Sequence, residues 1–200
     1  LGACRSREAA DHGDAGAARR AQPWIMAIQL DSGLSPVVSA GKGVLAGAAG
    51  TAVMTLAQTK LWPPKVLEKI PSGYRPKPPR FPSNREEPVT EVVARRFVEG
   101  VLRRPLRGRA KRWAGQLVHF GTGAACGAVL ALLARGRLGF RHGLLFGTIV
   151  WALNDNLAVP AMRLADWPSR YPLGVHLGAL ASHLVYGVTT ALVLDRALRR

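Results

Sequence analysis

The sequence predicts an all-α protein, an integral membrane bundle of four transmembrane helices with an amphipathic interfacial helix in the first loop. Four stretches of about 20 mostly apolar residues are long enough to cross a hydrocarbon layer as helices. Charged residues are concentrated between these stretches, and Trp or Tyr stands near several of their ends, as in an aromatic belt. A soluble bundle would need a polar stripe of helical period on each helix, and the four stretches have none.

The predicted membrane domain follows a tail and has short connections after its second helix. The first 25 residues contain no apolar run, and residues 1–37 are predicted to be a disordered tail. Residues 38–200 are predicted to form the four-helix domain. Its helices are predicted over residues 43–62, 113–134, 138–162 and 173–194, with a basic, proline-rich loop over residues 63–112.

Small residues recur four positions apart in these helices and predict close helix packing. In lipid, backbones approach each other closely where glycines face a neighbouring helix. The glycines predicted for packing are Gly43, Gly47, Gly123, Gly127, Gly143 and Gly147. Their spacing leaves open whether the contacts lie within one chain or between chains, so a homo-oligomer and a partner membrane protein are both predicted partner classes.

A weak internal repeat relates the two halves of the domain. The segment that begins at Gly43 aligns with the one at Gly143, and the segment at His119 aligns with the one at His183. Two helical hairpins in the same order would form a parallel repeat, which some transporters use. Chance similarity between glycine-rich apolar segments explains the alignment equally well.

The first loop combines an extended segment with a helix. Its first half contains closely spaced prolines and is predicted to be extended. Residues 89–102 then place apolar side chains at helical spacing, and arginines occupy much of the other face: Arg95, Arg96, Arg103 and Arg104. These arginines are predicted to face lipid headgroups. The helix lies either on the membrane surface or against the bundle, and the sequence does not separate these positions.

The net charge of +16 is concentrated in this loop, which argues against nucleic acid as a partner. Fourteen of the 28 Lys and Arg residues lie within residues 63–112. Positive charge beside a membrane span marks the cytoplasmic side and attracts anionic headgroups. The sequence therefore predicts a cytoplasmic loop and a lipid bilayer with anionic headgroups as the partner of its positive charge.

Seven polar side chains lie at one common depth inside the predicted helices. Asn154, Asp155 and Asn156 stand together in the segment WALNDNLAVP, and the alternating helix directions place four other polar residues in the same half of the membrane. The predicted cluster comprises Gln58, His119, Asn154, Asp155, Asn156, His176 and His183. An isolated carboxylate at this depth is costly, so Asp155 is expected to contact His119 or His183.

The three adjacent polar residues have a functional and a structural interpretation. Pro160 has no N–H for the carbonyl of Asn156, so the helix is predicted to kink or open at this point. The polar side chains would then satisfy loosened backbone groups. Alternatively, an ionisable residue inside a membrane marks a site or pathway. At about 100° per residue, an α-helix does not place all three on one buried face.

The sequence contains no pattern typical of an enzyme. Phosphate-loop, metalloprotease, nucleophile-elbow and paired-cysteine metal motifs are all missing from it. We therefore predict a non-enzyme with no catalytic residues and no cofactor. His176 and His183 lie about 10 Å apart along one helix face, too far to bind one ion directly, so no metal site is predicted.

Four motifs in order resemble one known family. They are GVLAGAAGTAVM before a proline-rich loop, LVHFGTGAACGAV, GLLFGTIVWALNDNLAVPAM and SHLVYGVTTALVLDRALRR. Over most of the segment 38–200 they resemble the YagU-like family of bacterial inner-membrane proteins, whose function is unknown. The resemblance implies a multi-pass inner-membrane protein with a link to acid resistance and no established catalytic residues. The best-matching positions are Gly43, Gly47, His119, Gly143, Gly147, Pro160 and His183.

Two classes of function follow from these observations. The first is proton or ion transport, or a response to acid stress, in which Asp155 and the histidines titrate. Histidine suits such a role because its ordinary pKa of about 6.5 lies in the physiological range. The second is a non-catalytic membrane scaffold or accessory subunit that binds partner helices and anionic lipid.

Overall fold

Helices form every regular element in the described part of the chain. The computed structural model describes residues 35–60, 87–134 and 137–199, and these residues contain no strand. Five helices follow one another: α1 (Pro36–Lys60), α2 (Val89–Phe97), α3 (Gly108–Leu133), α4 (Phe140–Ala161) and α5 (Leu173–Leu198). A π-helical turn (Val98–Leu102) extends α2, and a 3-10 turn (Pro168–Arg170) precedes α5.

Four of these helices are long and apolar enough to cross a membrane. Helices α1, α3, α4 and α5 contain 25, 26, 22 and 26 residues, with mean hydropathies between 1.2 and 1.6. The prediction of an all-α fold with four helices long and apolar enough to span a membrane is therefore confirmed. The described residues belong to one compact unit, Leu34–Arg200, and the other unit, Leu1–Gly33, lies outside them. The predicted extended segment lies outside the described residues up to residue 86.

Two helices begin earlier than their hydropathy predicts. Helix α1 starts at Pro36 rather than residue 43, because the Ser35 hydroxyl accepts the Val38 N–H at 3.3 Å and proline suits a first turn. Helix α3 starts at Gly108 rather than residue 113. Its first turns are basic, which the helix dipole disfavours, but Lys111 is paired with carboxylates of the α2 segment.

The C-terminal end of α5 extends to Leu198, four residues past the predicted end. Asp195 stabilises this last turn by accepting the Leu138 N–H at 3.0 Å and pairing with Arg199 at 2.8 Å. From α1, Lys42 donates to the carbonyl of Ala197 at 2.8 Å. A cation at a helix C-terminus satisfies a carbonyl that has no partner within the helix.

The four spanning helices form an open row. Helices α1 and α5 pack against each other in the centre, α3 packs on α1, and α4 packs on α5. In their most apolar windows, 39% of α1 and 44% of α5 is buried, against 17% of α3 and 11% of α4. The outer helices α3 and α4 are not among the pairs that pack extensively with each other. The row therefore does not close into a ring of four helices.

Glycines make the two hairpin contacts. At the α1–α3 contact, a Cβ added at Gly43 would lie 2.7 Å from the Ala131 Cβ. At the α4–α5 contact, a Cβ at Gly143 would lie 2.9 Å from the Gly187 carbonyl oxygen. All six glycines predicted for packing lie at these two contacts: Gly43, Gly47, Gly123, Gly127, Gly143 and Gly147. In this chain, all six glycines therefore face other helices of the same chain.

Helix α2 packs on α3 by its first half. Val92 and Ala94 are 1% and 3% exposed, and a Cβ added at Gly115 of α3 would lie 2.7 Å from the Glu91 Cγ. On the other side, Arg96 donates to the carbonyls of Met162 and Arg163 at 3.1 and 2.8 Å. These carbonyls follow the end of α4. Helix α2 thus connects α3 with α4 near the C-terminal end of α4.

Glu87 is the centre of an ion-pair network that fastens α2. Its carboxylate accepts two hydrogen bonds of 3.3 Å from Arg95 and lies 3.3 Å from the Lys111 Nζ. Burial by itself raises the Glu87 pKa, but the hydrogen bonds and positive charges of Arg95 and Lys111 outweigh burial and lower it from 4.5. Hydrogen bonding to Glu87 also raises the pKa of Arg95.

The attachment of α2 is expected to weaken in acid. The Glu87 pKa is lower in the folded than in the unfolded protein. The Glu87 carboxylate therefore stabilises the attachment of α2 fully above pH 4.5, and this stabilisation is lost as the pH falls through the lowered pKa. Amide exchange of residues 89–97, corrected for intrinsic rates, should accelerate in that range. Glu87→Gln should remove this step, whereas Glu99→Gln should keep it. An identical step in Glu87→Gln would contradict the assignment.

Candidate functional site

A cavity of about 540 Å³ lies between the four long helices, near the helix ends at which α2 connects α3 with α4. Its walls come from all four spanning helices, from residues 88–90 and from the connection between α4 and α5. All seven residues of the predicted polar cluster line it: Gln58, His119, Asn154, Asp155, Asn156, His176 and His183. The structure thus brings together residues that are far apart in the sequence.

A π-helix brings the three adjacent polar residues of α4 to the cavity. Residues Trp151–Ala158 are π-helical, and the N–H of Val159 bonds to the carbonyl of Asn154, five positions back. The prediction that the helix opens before Pro160 is confirmed. The prediction that the three residues cannot share a face is wrong, because the wider turn separates successive side chains less than an α-helix does. All three line the cavity.

The amides beside Asp155 have separate roles. The Asn154 amide donates to one carboxylate oxygen of Asp155 at 3.0 Å. The Asn156 amide donates to the carbonyl of Trp151 at 3.1 Å, five residues back. One amide therefore satisfies a backbone group of the widened helix, as the structural interpretation predicts. The other holds the carboxylate in place.

Asp155 meets His183 across the α4–α5 contact. The Asp155 Oδ2 lies 3.7 Å from the His183 Nδ1, which confirms the predicted approach of this carboxylate to a histidine. This separation is too long for a good hydrogen bond, so it is an electrostatic contact whose strength depends on the charge of the imidazole. The His183 side chain is 10% exposed and that of Asp155 is 33% exposed. The carboxylate therefore keeps an open side.

Two of the cavity histidines have their N–H fixed by a backbone carbonyl. The His183 Nδ1 lies 2.9 Å from the carbonyl oxygen of Ala179, and the His176 Nε2 lies 2.9 Å from that of Pro168. A carbonyl oxygen only accepts, so each of these nitrogens donates. In the neutral form, the second nitrogen of each ring is therefore a proton acceptor.

The third histidine is fixed by a hydroxyl chain. The Thr55 hydroxyl donates to the Thr51 carbonyl at 2.8 Å, so its oxygen can only accept from the His119 Nε2, 3.3 Å away. The His119 Nδ1 is then an acceptor in the neutral ring. For all three rings, the acceptor nitrogen has no hydrogen-bond partner within residues 35–60, 87–134 and 137–199.

The connection between α4 and α5 adds residues to the cavity that the sequence analysis did not identify. Asp166, whose side chain is 4% exposed, lies 3.8 Å from Arg170, and its backbone N–H donates to the Tyr171 hydroxyl at 3.1 Å. The spacing of Asp166 and Arg170 over one helical turn was the available signal. Thr55 and Gln116 also line the cavity, but nothing in the sequence distinguishes them from other polar residues of a helix.

Of the four arginines predicted to face lipid, two bind groups of the protein and two are exposed. Arg95 pairs with Glu87 and Glu99, and Arg96 binds carbonyl groups beyond α4. Arg103 and Arg104 are exposed after the π-helical turn. Arg103 ends this turn with a left-handed backbone at φ 51°. The first two arginines thus bind within the protein, and the last two are exposed.

The described residues contain no arrangement suited to a metal ion. Among residues 35–60, 87–134 and 137–199, no group of three or more His, Cys, Asp or Glu side chains is close enough to hold one. Asp155 and His183 are paired, but the donors around them are mainly amides and hydroxyls. The site is best described as a polar cavity lined by two carboxylates, Asp155 and Asp166, and three histidines.

No protein-family model, curated protein or solved structure matches this chain. The resemblance to YagU-like proteins stays a prediction from the motifs. The geometry of the cavity is therefore the basis for a functional interpretation.

Proposed function

We propose that this protein binds protons in a membrane, either to transport protons or ions or to respond to acid stress. We also propose that it is not an enzyme. The observation behind the proposal is the pair formed by Asp155 and His183, 3.7 Å apart in a polar cavity among membrane-spanning helices. Ionisable residues inside a membrane are costly and usually belong to a pathway or site. The resemblance to YagU-like proteins agrees with this role.

The histidine tautomers suggest how protons are taken up. Each ring donates one N–H to a protein oxygen and leaves its other nitrogen able to accept a proton: His119, His176 and His183. Asp155 can stabilise the positive charge that forms on His183. Protons bound at these nitrogens would thereby add positive charge to the cavity.

A liposome experiment tests this proposal. Purified protein in liposomes that contain a pH-sensitive dye should accelerate internal acidification after an external acid pulse. Liposomes without protein give the background. Equal rates in the two preparations would exclude transport. If proton binding measured by potentiometric titration of the detergent-solubilised protein were also unchanged on replacing the histidines, the acid-response form would be excluded too.

The orientation follows from the positive charge at the cavity end. We propose that the protein lies in the bacterial inner membrane with residues 61–107 in the cytoplasm, because this segment is strongly basic. Reporter fusions inside this segment should then give a cytoplasmic signal, and fusions after residue 200 the opposite signal. The reverse pattern would contradict the orientation but not the fold.

The end of α2 and the π-helical turn that follows it suit the interfacial role that the sequence predicts. Phe97, Val101 and Leu102 are 65%, 62% and 60% exposed, and the exposed Arg103 and Arg104 follow directly. Apolar side chains next to arginines favour a surface with anionic headgroups. We propose that residues 97–104 contact lipid while the first half of α2 stays on α3.

The scaffold alternative has less support from the contacts. Its main argument was that glycine stripes await partner helices, but the glycines of α1 and α4 face α3 and α5 of the same chain. A role as an accessory subunit or homo-oligomer would have to use the exposed apolar faces of the outer helices instead. In a membrane, lipid covers such faces without a partner.

A further inference from the structure

We infer that the cavity binds a small organic cation with N–H donors, such as a primary ammonium group, with Asp155 as its counter-ion. The inference rests on the proposed function and names the ligand class of the same site. Of the cavity's carboxylates, Asp166 is already paired with Arg170, whereas Asp155 has an amide and a histidine beside it and a side chain that is 33% exposed.

Three imidazole rings give the cavity hydrogen-bond acceptors in addition to the Asp155 carboxylate. The ring N–H groups of His119, His176 and His183 are bound to protein oxygens, which leaves one acceptor nitrogen on each neutral ring. The amide N–H₂ groups of Asn154 and Asn156 are likewise engaged by Asp155 and Trp151. A ligand that binds these acceptors supplies donors, and a positive charge matches the carboxylate.

Size and composition favour an organic cation over a bare metal ion. A volume of about 540 Å³ is within the range of small-molecule sites and far larger than one ion needs. The lining includes the aromatic rings of Trp151 and Tyr171, which can contact the face of a cation or its carbon chain. The described part of the chain offers no cluster of metal-binding side chains.

Proton binding and cation binding should exclude each other. Among residues 35–60, 87–134 and 137–199, the titratable groups that line the cavity are His119 from α3, Asp155 from α4, Asp166 and Tyr171 from the connection, and His176 and His183 from α5. Arg170 lies beside Asp166, and α1 and α2 contribute only neutral residues. Protonating the three histidines adds positive charge beside the bound ammonium group and expels it. The site would then exchange protons for organic cations.

The test is calorimetric titration of the full chain in lipid nanodiscs with three probes. Butylammonium has charge and N–H donors, tetramethylammonium has charge without donors, and butanol has the chain without charge. At about pH 7.5 butylammonium should bind saturably and more tightly than either other probe, and its affinity should fall at about pH 5, where imidazole is protonated. Equal affinity for the two cations, or no saturable binding of butylammonium, would overturn the inference.

Variants assign the counter-ion. Asp155→Asn should weaken butylammonium binding roughly 30-fold or more, as expected when one partner of a charge pair is removed. Asp155→Glu should retain most of it, and Asp195→Asn, at the far end of α5, should leave it unchanged. Unaltered binding in Asp155→Asn would overturn the assignment. For the wild-type protein, proton uptake without butylammonium binding would refute this inference alone, whereas the absence of both would refute the proposed function as well.

Discussion

Replacing Gly47 by leucine is expected to separate α1 from α3 and to abolish the native fold. A Cβ at this position already lies 3.1 Å from the Ala124 Cα and closer still to the Gly123 carbonyl oxygen, and a helix backbone cannot yield as a side chain can. Overpacking of a close contact costs on the order of 3 kcal/mol, and leucine adds further carbons. Size-exclusion chromatography in mild detergent should show aggregated or degraded protein in place of a single peak.

Gly41 provides the matched control for this change. It lies on the same helix, and a Cβ there would meet no atom within 4 Å. Gly41→Leu should therefore give wild-type chromatography and wild-type resistance to unfolding by SDS. Equal damage from both substitutions would mean that leucine disturbs α1 itself, and equal tolerance would mean that the contact between Gly47 and α3 does not determine the fold.

Replacing Asp155 by asparagine is expected to abolish proton uptake in liposomes while leaving the fold intact. Asparagine preserves the size of the side chain and can still accept from the Asn154 amide, but it cannot bind a proton or stabilise a charged His183. Loss of a proton-transferring group typically costs about a hundredfold in rate or more. The rate should therefore fall to that of liposomes without protein.

The control for this change is a carboxylate outside the cavity. Asp195 lies on α5, accepts the Leu138 N–H and pairs with Arg199, so Asp195→Asn should keep proton uptake. Both variants should elute as the wild type does. If Asp155→Asn keeps full uptake, the structural interpretation of the polar segment is the better one. Pro160→Ala combined with Asn154→Leu should then alter stability instead.

The sequence predicted the fold class because membrane spans depend on composition, which can be read without knowing any contact. Their ends were less predictable, because they depend on local partners. Ser35 and Pro36 form a helix start that could have been read directly, but the basic start of α3 depends on Glu87 and Glu91, which come close only after folding. The order of helices in the row also depends on which glycine faces which backbone.

The cavity was predictable in part for a similar reason. Alternating helix directions fix the depth of each polar residue, so Asp155, His119 and His183 could be assigned to one level from the sequence. The π-helix was not predictable in its extent, since Pro160 indicates an opening but not an eight-residue one. Asp166 was missed because it lies in a connection, where apolar periodicity gives no information.

The open row also bears on how the chain enters a membrane during its synthesis. Helices α1 and α3 share one glycine contact and α4 and α5 share the other, so each pair of spans can leave the insertion machinery with its own interface complete. The second pair need not wait for any rearrangement of the first. The pairs are joined by the contact of α1 with α5 and by the bond from Lys42 to the Ala197 carbonyl. The Tyr186 hydroxyl of α5 also donates to the Gly123 carbonyl of α3, and Arg96 binds the carbonyls after α4. A break in the chain between α3 and α4 would therefore leave both halves able to assemble first and meet afterwards.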